Sequence, residues 1–331
     1  MSSQALSKKT TLSLGVATFN RGDLAVKRLK ELTAADLPAN VEAYIIDNCS
    51  NNGSYEQLLN CKGNHGVNIF QNDENKGFAG NFVEVIRRSK AEYVLWLSDE
   101  DEVLYENIGE LNRFLVDKSP DVLVGEYFIK ESKGNFRTYR SFIQKEIPSS
   151  EFWRCSHLPG IVFNTQKAQR ALDSFENNKE RFPSLACYYP HFFIFFDLFP
   201  ECNSFFWDKP ISMQVDFRDH QHVKSRGSQY YHVGPRWEQV KEILDFLSNK
   251  RRMEKDSQRK KELDSMIEAQ RLRIFQMIRG AIYKEDSTLG NLFDTGCTEF
   301  RKNKVSRVVG LLRSNPKEAF RKLSARMSNQ S

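Results

Sequence analysis

Short continuous apolar runs alternate with stretches whose apolar residues recur every three or four positions, and this rhythm holds over about the first 130 residues. The runs Thr11 to Thr18, Val41 to Ile46, Val67 to Phe70, Tyr93 to Leu97 and Val122 to Tyr127 predict buried strands. Leu24, Lys27, Arg28 and Leu32 mark the turns of a first helix. Further helices are predicted from the Gly77 to Asn81 stretch to about Lys90, and from Glu102 to Val116. Strand, polar turn and helix, repeated in about thirty residues, is the signature of a βαβ unit. The fold class expected is α/β, built on an open, mostly parallel sheet.

The turns after residues 18, 46 and 97 all leave the carboxyl ends of strands, the edge at which such sheets bind ligands. Asp47 to Ser54 is a run of turn formers, and Gly77 with Gly80 opens a helix, whose N-terminus suits an anion. The fourth strand stops at four acids, Asp99, Glu100, Asp101 and Glu102. Carboxylates this close repel one another unless a cation or solvent neutralises them. A hard divalent metal holding a substrate phosphate explains the run, and so does an acidic first turn for the helix that follows.

Beyond Lys130 the pattern loosens. Glu131 to Arg140 reads as a loop or hairpin, Ser150 to Cys155 as a short helix, Leu158 to Asn164 as a turn and strand, and Ile211 to Phe217 as another strand. Pro190 suits the first turn of an apolar helix, which sets His191 near its N-terminus, where it is either a proton acceptor or a hydrogen-bonded structural residue. Asp197 is a reserve base, or a paired core acid. His220 and His222 sit in a polar stretch with Lys224 and Arg226, as metal or diphosphate ligands or as solvated surface residues. Tyr230, Tyr231 and His232 could line the same cleft.

After Gly234-Pro235 the composition shifts to basic helices, with apolar stripes at Trp237, Val240, Leu244 and Leu247 and from Leu263 to Ile278. The chain carries a net charge of +6, and residues 301 to 331 hold nine Lys or Arg against the single acid Glu318. That asymmetry predicts an anionic partner; the last helices favour an anionic membrane surface, whereas nucleic acid is unexpected without interleaved aromatics or a groove-reading motif. Six scattered cysteines without a Cys-x-x-Cys pair are read as reduced thiols. No bilayer-length apolar run and no signal-peptide core are present, so a cytoplasmic location, peripheral at the inner face of the membrane, is expected.

Four segments in order carry a family resemblance: Leu14-Gly15-Val16-Ala17-Thr18-Phe19-Asn20-Arg21, Asp47-Asn48-Cys49-Ser50, Asn75-Lys76-Gly77-Phe78-Ala79-Gly80-Asn81, and Leu97-Ser98-Asp99-Glu100-Asp101-Glu102-Val103. Together they resemble a family 2 glycosyltransferase with the A-type fold. Cys187-Tyr188-Tyr189-Pro190-His191 is similar to its bacterial, abequosyltransferase-like subset.

The resemblance implies a catalytic domain over 1–235, with a nucleotide-sugar half at 11–130 and an acceptor half at 131–235, followed by a helical C-terminal extension over 236–331. It implies an inverting transfer from a nucleotide-sugar to a hydroxyl of a surface glycan or lipid-linked glycan, with Mn²⁺ or Mg²⁺ at Glu100 and Asp101, completed by His220 or His222. Donor-binding residues would be Thr18, Phe19, Asn20, Arg21, Asp47, Asn75, Gly77, Asn81 and Asp99. Asp47 would meet the base or ribose; its carboxylate suits the N3 hydrogen of uracil or thymine, which favours UDP or dTDP over CDP. Ser98 and Glu100 depart from the family's Asp-x-Asp-Asp pattern, and its usual Glu-Asp base pair is absent where expected. His191 takes the place of that base.

Two rival readings remain at this stage. A nucleotidyltransferase would want a Gly-rich basic loop after the first strand, which Thr18 to Asp23 does not provide. A non-catalytic scaffold would keep the nucleotide-sugar fold and bind membrane or partner through its basic tail.

Overall fold

A computed structural model describes residues 10–285, apart from 62, 64–65, 131–135, 141–145, 148–150, 153–154, 199–201 and 215–232. The apolar runs become strands β1 (Leu12–Thr18), β2 (Val41–Asp47), β3 (Val67–Gln71) and β4 (Tyr93–Ser98). The periodic stretches become α1 (Gly22–Ala34), α2 (Ser54–Cys61) and α3 (Gly77–Arg88). The four strands pair in parallel in the order β3, β2, β1, β4. Both faces of this sheet are covered, which is why its strands are apolar without alternation. Gly15 lets α3 approach closely: a side chain there would stand 2.5 Å from Val85 and 2.9 Å from the Tyr44 ring.

The acidic run departs from the helical expectation. Asp101 does not enter a helix; it begins a short strand, β5 (Asp101–Val103), and α4 starts only at Ile108 (Ile108–Lys118) after a 3-10 turn at Tyr105–Asn107. The reason is distant in sequence, since β5 pairs antiparallel with β9 (Ser204–Gln214), with Asp101 opposite Gln214. Pairing with a remote strand outweighs a local preference for acids in a helix's first turn.

The sheet then turns mixed. β6 (Val122–Lys130), β7 (Phe136–Arg140) and β8 (Ile161–Asn164) join it, giving nine described strands in the order β3-β2-β1-β4-β8-β6-β9-β5, with β7 beside β6. β6 and β7 form the expected hairpin. β9 begins well before the predicted Ile211, because Trp207 and Phe206 join the buried strand.

Helices α5 (Thr165–Asn178), α6 (Pro183–Tyr188) and α7 (Pro190–Leu198) follow β8. Residues from Pro190 to Phe196 are all buried, as a helix apolar on every side must be. The C-terminal extension comprises α8 (Val233–Met253) and α9 (Ser257–Glu285). The chain divides into two compact units, one of residues 1–219 with 249–266, the other of 220–248 with 267–331. The sheet lies in the first. Among the described residues, no helix is long and apolar enough to cross a membrane.

Candidate active site

Parallel register aligns the polar ends of the strands. Thr18 stands opposite Asp47, Asp47 opposite Gln71, and Ala17 opposite Ser98, so the turns that follow all leave one edge. The turn after β1 reaches the acidic run directly: Thr18 Oγ1 donates to Asp99 Oδ2 at 2.7 Å, and Arg21 Nη1 donates to Asp99 Oδ1 at 2.8 Å. Arg21 also pairs with Glu100. Asp99 is buried, whereas the Glu100 side chain keeps a quarter of its surface, 25%. Burial pushes the Asp99 carboxyl above its usual range, with Arg21 and Thr18 pulling against it.

Asp101 sits beside them, buried, and accepts a hydrogen bond from Tyr127 Oη at 2.8 Å. Its pKa is pushed up to about 7, first by burial and then by the charges of Glu100 and Asp99, while Tyr127 and Arg28 pull it down. Tyr127 is a site residue that sequence reading missed; the only signal was a polar tip closing an apolar strand.

Asp47 and Asn20 anchor the second turn. Asp47 is fully buried and accepts from the Ser50 backbone at 2.8 Å, from Ser50 Oγ at 2.5 Å and from Gln71 Nε2 at 3.2 Å. The Asn20 backbone N–H donates to Ser50 Oγ at 2.7 Å, and Asn20 Oδ1 accepts from the Asn51 N–H at 3.0 Å. Asn20 and Cys49 take left-handed backbone, at φ 55° and 58°, which the short polar Asn tolerates. Phe19 is half-buried in the same turn.

A chain of asparagines ties the third turn to the others. Asn48 Nδ2 donates to Asn75 Oδ1 at 2.8 Å and to the Gly77 carbonyl at 3.1 Å, and its Oδ1 accepts from Asn72 at 2.9 Å and from the Lys76 N–H at 3.1 Å. Asn72 also donates to Asn81 at 3.2 Å, and Asn81 to the Thr18 carbonyl at 3.4 Å. Gly77 takes φ 66°, a conformation costly for other residues. Thr18, Asn20, Arg21, Asp47, Asn75, Gly77, Asn81, Asp99, Glu100 and Asp101 thus occupy one connected edge.

The two residues offered as bases have other partners. His191 is 1% exposed; its Nε2 lies 3.0 Å from the Cys155 carbonyl, and rings of Phe82, Tyr189, Phe192 and Phe195 surround it. Asp197 pairs with Lys250, whose ammonium also donates to the Phe196 carbonyl at 2.8 Å. His220 and His222 lie outside the described residues, as do Lys224, Arg226, residues 230–232 and the basic segment 301–331.

The donor set suits a hard cation. Asp99, Glu100 and Asp101 offer carboxylate oxygens, and Asp101, raised first by burial and further by the charges of Glu100 and Asp99, is an acid whose charged form a cation would favour. Among the described residues, no three His, Cys, Asp or Glu side chains cluster closely enough to hold a metal alone. One or two carboxylates with substrate phosphates completing the shell is the usual arrangement for Mg²⁺.

Residues 13–199, more than half of the chain, match the family model described as Glycosyl transferase family 2. No curated protein matches the chain. Among solved structures, S. aureus TarS 1-349 is similar with a TM-score of 0.55 at 14% identity, covering 95% of this chain and 80% of that one. Its complex with UDP-GlcNAc gives a TM-score of 0.57 at 15% identity, covering 83% and 76%. At such identity the likeness bears on fold, and that fold is the A-type glycosyltransferase one, here followed by C-terminal helices.

Proposed function

The chain belongs to glycosyl transferase family 2, and from that premise we propose that it is a metal-dependent, inverting enzyme moving a sugar from a nucleotide-sugar to a glycan hydroxyl. The observation that carries this reading is the meeting of Thr18 and Arg21 with Asp99 and Glu100, in line with Asp47 along one sheet edge. That edge offers anchors for base and ribose at one end and for charge at the other.

In this reading Asp47, already rigid in its turn, accepts from the nucleobase, and the Thr18 to Arg21 turn lies against the nucleoside. UDP or dTDP is the favoured donor nucleotide, and a solved structure of the similar TarS contains UDP-GlcNAc. Glu100 and Asp101 would hold Mn²⁺ or Mg²⁺, which when bound supplies the positive charge that neutralises the departing diphosphate. Arg21, the cation that now faces Asp99 and Glu100, would share in stabilising that diphosphate. The acceptor oxygen attacks the anomeric carbon in line, opposite the leaving phosphate.

Neither His191 nor Asp197 is assigned the base. The first is enclosed by aromatic rings, and the second is neutralised by Lys250. Tyr189-Pro190-His191 is the feature that would place the chain in the abequosyltransferase-like subset. The nine-cation segment 301–331 suits an anionic membrane surface, and with it an acceptor that is a lipid-linked intermediate of a surface glycan.

The test is donor consumption followed by ³¹P NMR with UDP-, dTDP-, CDP- and GDP-sugars, in Mn²⁺ and in EDTA. Metal-dependent release of one nucleoside diphosphate, lost in Asp101→Ala, supports the transferase. A non-catalytic scaffold is the reading favoured if no donor is consumed or bound; the internal pairing of Arg21 with both acids is the observation on its side.

A further inference from the structure

Tyr127 lies in β6 between Glu126 and Phe128 and is fully buried, with its hydroxyl donating to Asp101 Oδ1 at 2.8 Å. Its ring lies 4.4 Å, centroid to centroid, from that of His157, in the turn that leads into β8. Register explains the meeting. β9 lies between β6 and β5: Ser212 is opposite Tyr127 on one side and Val103 on the other, and Gln214 is opposite both Ile129 and Asp101. Residues opposite one another, or two apart on a strand, share a face of the sheet. Tyr127 and Asp101 therefore stand on one face with a whole strand between them. Two strand spacings are about 10 Å, a gap that a phenol and a carboxylate bridge together and that serine or threonine cannot. The register between β6 and β9 shifts on either side of Glu126, and such a bulge re-aims the next side chain.

A buried carboxylate that accepts one fixed hydrogen bond loses its freedom to rotate. One oxygen is committed to the phenol, and the other is left for a cation.

We propose that Tyr127 is a positioning residue for Asp101, holding its carboxylate in the orientation that binds the divalent cation of the donor diphosphate. The proposal rests on the reading of Asp101 as a ligand to that cation. It ties the ligand to β6, beyond the segment that supplies the acids, and through the ring to the turn before β8.

Tyr127→Phe removes only the hydroxyl and keeps the ring against His157. Mn²⁺ affinity is measured by electron paramagnetic resonance on the full chain, with UDP, dTDP, CDP or GDP present in turn to complete the shell, for wild type, Tyr127→Phe, Asp101→Asn and the double variant. Tyr127→Phe is expected to weaken Mn²⁺ about tenfold or more, the usual effect of losing a partner behind a metal ligand. Its melting temperature in EDTA should stay within about 4 °C of wild type. In the Asp101→Asn background the same change should have no further effect, because Tyr127 acts through that carboxylate. Undiminished Mn²⁺ affinity in Tyr127→Phe, or an equal loss in both backgrounds, overturns the proposal and leaves the ligand reading standing. A wild-type protein that binds no Mn²⁺ overturns both.

Discussion

At the carboxyl edge of β1 to β4, buried polar side chains are surrounded by other polar side chains; in α7, a buried histidine is surrounded by aromatic rings. Asp99 meets Thr18 and Arg21, and Asn48 meets Asn72 and Asn75, so the edge is a network whose members hold one another at fixed positions. His191 bonds a backbone carbonyl, and rings of Phe82, Tyr189, Phe192 and Phe195 lie around it. The difference teaches what each region is for. Burying charged groups is costly, and an acid such as Asp101, pushed up to about pKa 7 by burial and by its acidic neighbours, is the kind of group the proposed metal site would use. An imidazole bonded to a carbonyl among rings has the surroundings of a packing residue.

The sharpest way to break that contrast is to remove one group from each region. Asp101→Ala should lower donor turnover by about 10²-fold or more, since a metal's charge on the diphosphate is worth several kcal/mol, while the melting temperature in EDTA holds or rises. His191→Ala should do the reverse. Urea titration is expected to show a loss of about 2–4 kcal/mol from the cavity and the freed carbonyl, with turnover per folded molecule unchanged well below the melting point. Turnover lost without stability would make His191 a catalytic residue after all.

Within the edge, Asn48→Ala strips partners from Asn72, Asn75, the Lys76 N–H and the Gly77 carbonyl together. A stability loss of about 2 kcal/mol is expected by the same titration, with weaker nucleotide binding because the second and third turns are no longer tied through this side chain.

Acid should loosen the Lys76–Glu84 pair beside the edge. Burial raises the Glu84 carboxyl, but the bond and charge of Lys76, with Arg87 and Arg88, outweigh burial and hold it below 4.5. A depressed folded pKa gives stability that is present above the unfolded value and lost as pH falls through the folded one. Urea midpoints should therefore fall below about pH 4.5, and Glu84→Gln should flatten part of that fall. Asp197→Asn should matter least. Its pair with Lys250 is partly open to water, with 28% of each side chain exposed, so a change under about 1 kcal/mol and unaltered turnover are expected.

The first four strands and their helices were legible because parallel strands buried on both faces leave continuous apolar runs, with polar turns at one end. Thr18, Asp47 and Asp99 were legible for the same reason: each closes or directly follows such a run. What stayed hidden depends on distant partners. Asp101 forms a strand only because Gln214 pairs with it, and Tyr127 reaches Asp101 only because β9 sets it two strands from β5. The enclosure of His191 did have a signal: Pro-His-Phe-Phe-Ile-Phe-Phe is apolar on every side, which marks a buried helix and not one facing a cleft.

The central claim is that the carboxylate edge binds a nucleoside diphosphate through a divalent metal. Isothermal titration of UDP, dTDP, CDP and GDP into the full chain, in Mn²⁺ and then in EDTA, with Asp101→Asn alongside, tests it most directly. One nucleotide binding in Mn²⁺, at least about tenfold weaker in EDTA and in the variant, is the result expected. Equal affinity in Mn²⁺ and EDTA, or binding untouched by Asp101→Asn, would contradict the account.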